Sequence, residues 1–180
     1  MGVQSSFGFT LGRMEKGRLN KITDVPGVRV GHVTRHEGGI NTGVTAILPH
    51  TGDMFHDKCP AACHVINGFG KSIGLVQVNE LGTIETPLLL TNTLSVGTAA
   101  TALVKYMLER NEDIGCDTGT VNPMVFECND GHLNDIRGLH VTEQNALDAL
   151  ANAADDFEEG AVGAGSGMSC YSLKGGIGSA

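Results

Sequence analysis

The sequence predicts an α/β domain built from mixed sheets with helices on their outer faces, and three observations carry that prediction. Short runs rich in Val, Ile and Leu, bounded by Gly, Pro, Asn or Asp, occur at 27–34, 44–49, 62–67, 75–78, 87–91 and 124–128 and read as strands. Several of these precede the first helical pattern, so the chain is not a simple alternation of strand and helix. No G-x-G-x-x-G run follows a strand and opens a helix, which disfavours a dinucleotide-binding fold.

Two segments have helical periodicity. Beyond Ser95, read as the N-cap, the residues Val96, Ala99, Ala100, Leu103, Val104, Met107 and Leu108 fall on one face. Lys105, Glu109 and Arg110 take the opposite face, with Arg110 placed near the negative C-terminal end of the helix. A second helix is expected after Thr142, with Glu143 in its first turn and a stripe of Ala146, Leu147, Leu150, Ala151 and Ala154. Residues 155–160 then read as an acidic, solvated exit.

The 180 residues fit a single domain over 1–180, and 41% hydrophobic with 18% charged residues is a globular composition. Lys plus Arg is 12 and Asp plus Glu is 20, a net charge of −8 with no basic cluster, which argues against nucleic acid or an anionic membrane as partner. No apolar run approaches a membrane span, and the first residues lack a signal-peptide pattern. The five scattered cysteines suit reduced thiols and a cytoplasmic setting. Cys59 and Cys63 form a C-x3-C with no second ligand pair, and the seven histidines show no paired ligand spacing, so neither a metal nor a cofactor is expected. His64, inside a strand-like run, reads as a hydrogen-bonded interior residue.

Four segments carry candidate chemistry. The glycine-rich stretch 163–180 has a strand-like centre at 168–173, with Met168, Cys170, Tyr171 and Leu173 expected to pack. Its glycines suit self-cleavage, in which a Ser or Thr hydroxyl attacks the preceding carbonyl and then opens a new chain whose own amine activates it. On that reading the cut falls after Ala180 and the nucleophile begins a second chain, with Ser179 as the fallback nucleophile. The run from Glu127 to Asp135 gathers Glu127, Asn129, Asp130, His132, Asn134 and Asp135 at a strand end. It is either an ordinary Asx turn or a site in which an Asn amide stabilises an oxyanion. The turn Asn67-Gly-Phe-Gly-Lys71 lacks phosphate-loop spacing, which leaves Asn67 and Lys71 as candidates to line a substrate pocket. Thr91, Asn92 and Thr93 either cap the following helix or face a site at that junction.

With these segments in hand, the chain resembles the L-aminopeptidase/D-esterase and β-peptidyl aminopeptidase (DmpA) family. The matching runs are Ile22 to His32, Thr42 to Pro49, Thr86 to Gly97, Asp130 to Ile136 and Gly165 to Gly178. The resemblance implies a four-layer αββα sandwich completed by a second (β) chain, cut from the same precursor and opening on a nucleophilic Ser. It also implies oligomers of αβ units, hydrolysis of small peptides, amino-acid amides or esters, and Asn134 as an oxyanion donor. Where the resemblance places a carboxylate for the substrate amine, this chain has Lys71. That leaves Glu80 or Glu127 to take the part, or an anionic group on the substrate to meet the lysine. An acyltransferase like the self-cleaving ornithine acetyltransferases, and a non-catalytic ligand-binding relative, are the alternatives.

Overall fold

The computed structural model describes residues 12–66 and 68–179. Its strands are β1 (Arg29–Glu37), β2 (Ile40–Leu48), β3 (Cys59–Pro60), β4 (Thr83–Ile84), β5 (Leu88–Asn92), β6 (Met124–Cys128), β7 (Ser169–Cys170) and β8 (Leu173–Lys174). The α-helices are α1 (Leu75–Leu81), α2 (Val96–Leu108) and α3 (Glu143–Ala151). The main sheet has the order β1-β2-β5-β6. β1 and β2 form an antiparallel hairpin, β2 and β5 are antiparallel, and β5 and β6 are parallel with α2 as the crossover. The sheet is therefore mixed, as the strand-first order of the sequence implies.

Alternation along the strands decides which face is covered. Val44, Ala46, Leu48, Leu89 and Val125 pack under Ala99, Leu103, Ala146 and Leu150 of α2 and α3. α3 lies so close to β1 that a Cβ on Gly31 would sit 2.2 Å from the Ala149 carbonyl oxygen, so only glycine fits there. Leu88 and Leu90 point to the opposite face and stay half-buried.

Both expected helices form, with one change at a cap. A 3-10 turn at Thr93–Ser95 precedes α2, and the Asn92 side chain accepts from the Ser95 N–H at 3.0 Å. Ser95 makes no side-chain cap, because the first orphan donor belongs to Ser95 itself and falls to the residue three positions back. α3 starts as expected, with Thr142 and Asn145 in a reciprocal capping box. Arg110 donates to the Tyr106 carbonyl at 3.0 Å, beyond the last turn of α2.

Four local expectations are corrected. Residues 75–78 are the first half of α1, not a strand; Gly74 and Gly82, both left-handed, bound a helix too short for its period to be read. Residues 61–66 form no strand, and His64, Val65 and Ile66 are exposed. The exit at 155–160 is not simply solvated. Lys21, buried, pairs with Asp156 at 2.7 Å and donates to the Phe157 carbonyl, and Phe157 is itself buried. In the glycine-rich stretch, β7 and β8 pair only with each other around Tyr171 and Ser172, whose φ values are 50° and 63°. Tyr171 is 96% and Leu173 71% exposed, so the expected packing of Cys170, Tyr171 and Leu173 does not occur. The Lys174 ammonium donates to the carbonyls of Gly165, Met168 and Gly175, which closes the hairpin on its own stem rather than on the sheet. No described helix is long and apolar enough to cross a membrane.

The stem of that stretch is tied to β1 and β2 through His32. Its Nε2–H donates to the Glu158 carbonyl at 3.0 Å, and its Nδ1 accepts from the Thr45 hydroxyl at 2.9 Å. The Thr45 oxygen in turn accepts from the Ala164 N–H at 3.1 Å. Burial holds the His32 pKa below its ordinary 6.5, with the Lys21 charge adding to it against the opposing Glu158 carbonyl and carboxylate. A lowered native pKa means the unfolded chain binds the extra proton, so this contribution is complete above 6.5 and lost as the pH falls below it. Protection of the Ala164 amide against hydrogen exchange, corrected for intrinsic rate, is expected to weaken below that pH. His32→Gln is expected to flatten the dependence, and an equally steep profile in that variant would remove His32 as its source.

Candidate active site

Three chain segments converge where β2 begins, β5 ends and β6 runs into the loop 129–135. The Asp130 carbonyl accepts from the N–H groups of Leu133 and Asn134, both at 3.0 Å, and so closes the loop on itself. Two residues at the start of β2 clamp it. The Asn41 N–H donates to Asn134 Oδ1 at 2.9 Å, and Asn41 Nδ2 donates to the Leu133 carbonyl at 2.7 Å. Thr42 Oγ1 donates to Asp130 Oδ2 at 2.6 Å. The stretch 163–179 crosses close above: a Cβ on Gly167 would sit 2.0 Å from the Asn41 carbonyl oxygen and 3.0 Å from the Asp130 side chain.

Asn134 is 7% exposed, and its carboxamide orientation follows from the Asn41 contact. With Oδ1 taken by a backbone N–H, Nδ2 points away, buried and without a hydrogen-bond partner. A buried N–H pair without an acceptor costs about 1–3 kcal/mol, so the geometry holds an unspent donor in place. Such a donor suits an oxygen that becomes negative during acyl transfer. Next to it, Asp135 donates its N–H to the Gly39 carbonyl, and its carboxyl is held below the usual range mainly by a hydrogen bond from His140 at 3.0 Å.

Beside this loop lies a cavity of about 640 Å³ whose wall includes Val65, Phe69, Leu75 and Phe126, with Glu127 and Asn129 at one side. Glu127 comes from the end of β6, yet its carboxylate is oriented by two distant elements. Oε1 accepts from the Lys71 N–H at 3.1 Å, and Oε2 accepts from the Thr93 hydroxyl. The Lys71 ammonium donates to the Phe69 carbonyl at 2.5 Å and lies 3.5 Å from the Phe69 ring centroid. Asn129 Oδ1 accepts from the Gly131 N–H at 2.8 Å and shapes the turn.

The expected site residues therefore separate into groups. Glu127, Lys71 and Asn129 line one cavity, and Asn134 sits in the adjoining loop. Asn92 is inside the junction rather than on the cavity wall, with its amide spent on Ser95 N–H and on Thr42 Oγ1 at 2.9 Å. Ser179 is held elsewhere: its Oγ accepts from the Ile22 N–H and its N–H donates to Glu159, both at 2.7 Å. Asn67 and Ala180 lie outside the described residues. Asn41 was missed by sequence reasoning; the available signal was a polar Asn-Thr pair opening an otherwise apolar strand just after a Gly-Gly turn. Among the described residues, no group of His, Cys, Asp and Glu side chains is placed to hold a metal ion.

The chain has similar proteins among those of known sequence and structure. The chain is 39% identical over 174 residues to the β-peptidyl aminopeptidase BapA of Sphingosinicella microcystinivorans, covering 91% of this chain and 43% of that protein. The crystal structure of the PH0078 protein of Pyrococcus horikoshii OT3 superposes with a TM-score of 0.92 at 54% identity, over 97% of this chain and 52% of that one. The L-aminopeptidase D-Ala-esterase/amidase of Ochrobactrum anthropi, described as a variant of the Ntn hydrolase fold, gives 0.83 at 34% identity, over 94% and 50%. The chain thus spans about half the length of the relatives it matches. The family model of peptidase family S58 matches residues 20–180, and the chain belongs to that family.

Proposed function

We propose that this chain is the amino-terminal half of a self-cleaving serine hydrolase that releases amino-terminal residues from small peptides, amides or esters. The observation that carries this reading is the Asn134 carboxamide, with its oxygen tied to the Asn41 N–H and its N–H groups unspent. In the reaction, a serine at the start of a second polypeptide attacks the substrate carbonyl, and its own α-amine takes the proton. Asn134 Nδ2 donates to the oxyanion as the carbonyl becomes tetrahedral, then again when water resolves the ester.

The second polypeptide has a place to pack. The sheet face opposite α2 and α3 carries Leu90 and Phe126, which with Met168 and Ile177 line a further cavity of about 340 Å³. A second sheet and its helices laid on that face would complete a four-layer αββα sandwich. The half-length match to whole relatives supports the same division.

Glu127 receives the substrate's ammonium. Its carboxylate is fixed from two sides, its charge is not matched by the Lys71 ammonium, and apolar side chains beside it accept the residue being released. Lys71 contributes its backbone N–H and pins the turn through Phe69.

Two variants of the complete protein test these roles. Asn134→Ala is expected to fold and to lose ~10²–10³ in kcat, the usual worth of one oxyanion donor; an unchanged kcat would remove Asn134 from the mechanism. Glu127→Gln is expected to raise KM for amino-acid p-nitroanilides by about tenfold, the loss of one charge-assisted contact. The same change should leave an N-acylated ester unaffected. If both substrates change in proportion, Glu127 does not read the amine.

A further inference from the structure

The donors and acceptors behind Asn134 run in one fixed direction. The Ser95 N–H, at the start of α2, occupies Asn92 Oδ1 at 3.0 Å, so Asn92 has only its NH₂ group to offer inward. That group donates to Thr42 Oγ1 at 2.9 Å, which commits the Thr42 proton to Asp130 Oδ2 at 2.6 Å. Asn92, Thr42 and Asp130 are each 1% exposed, so water cannot replace any of these partners. The chain ends in the residue whose carbonyl sets the Asn134 backbone, while Asn41, next to Thr42, sets the Asn134 side chain. None of the three residues from β2 and the loop lines the cavity beside Glu127.

We propose that Asn41, Thr42 and Asp130 are positioning residues that hold the Asn134 carboxamide with its N–H groups toward the reacting carbonyl. Through Asn92, they make that orientation depend on the start of α2. This rests on the reading of Asn134 as an oxyanion donor. Without the Thr42 hydroxyl, Asp130 Oδ2 and Asn92 Nδ2 both lose their partner, and the loop can relax by a fraction of an ångström. A displacement of about 1 Å in a catalytic group is enough to lower rate by roughly 10²-fold.

The test is a double-mutant cycle in the complete protein, with kcat and KM measured for one amino-acid p-nitroanilide. Thr42→Val keeps the shape and removes the hydroxyl; kcat is expected to fall by about 10- to 100-fold with KM within about twofold. Thr42→Ser, which restores the hydroxyl, is expected to recover most of the rate. In an Asn134→Ala background, Thr42→Val is expected to cost almost nothing further, because it acts through the missing carboxamide. Asn41→Ala, at a half-buried position, provides the same comparison should the valine variant fail to fold, with a smaller loss that also vanishes in the Asn134→Ala background. Equal losses with and without Asn134 would overturn the positioning role while leaving Asn134 in the mechanism. A kcat unmoved by Asn134→Ala alone would overturn the oxyanion reading itself, and the positioning role with it.

Discussion

At the junction of β2, β5 and the loop after β6, the side chains of Asn92, Thr42 and Asp130 lie where water cannot reach them. Asn92 Nδ2 and the Thr42 hydroxyl therefore each point at a protein acceptor, while Asn134 Nδ2 is left without one. That constraint fixes the site. Asn92 is spent on the helix start, Thr42 has a single direction left for its proton, and Asp130 receives it. The same strand that carries Thr42 supplies the Asn41 N–H to Asn134. Buried polar contacts of this kind add little net stability, but they discriminate sharply against misplaced alternatives. The apolar packing of α2 and α3 holds the sheet together, and the polar junction decides which way one carboxamide faces.

The acidic side of the site obeys a different constraint. Glu127 stands beside an apolar cavity, where an unpaired carboxylate is costly unless it is hydrogen-bonded. It is held by a backbone N–H 56 residues away and a hydroxyl 34 residues away, neither of which carries charge. Its negative charge is thereby retained rather than cancelled. Lys71 binds it through its backbone N–H, and the Lys71 ammonium is instead committed to the Phe69 carbonyl and ring. A fixed anion next to an apolar wall is the complement of an ammonium followed by an apolar side chain, which is the pattern at the start of a peptide.

Much of this was legible in the sequence, and what was not has physical reasons. α2 and α3 announced themselves because their apolar period is sustained over 13 and 9 residues. β5 and β6 were legible as short apolar runs between turn residues. α1 was not, because seven residues between two left-handed glycines give too little period to separate helix from strand. The run 62–67 read as a strand from its composition, yet among the described residues no strand pairs with 62–66. The hairpin of β7 and β8 was mistaken for packed structure because local sequence cannot show that Lys174 closes it on its own stem. At the candidate site, Asn134 was singled out from its motif. Asn41 and the orientation of Glu127 depend on contacts 93 and 56 residues apart, and only the fold brings those together.

The central claim is that Asn134 is held as an oxyanion donor for a serine on a second polypeptide. The most direct measurement is a crystal structure of the complete protein after reaction with a serine-directed phosphonate, which leaves a tetrahedral adduct. The account predicts two polypeptides, the adduct on the first residue of the second, and Asn134 Nδ2 about 2.7–3.1 Å from the phosphonyl oxygen. An adduct whose oxygen is bound by other donors, with Asn134 Nδ2 turned away from it, would contradict the account.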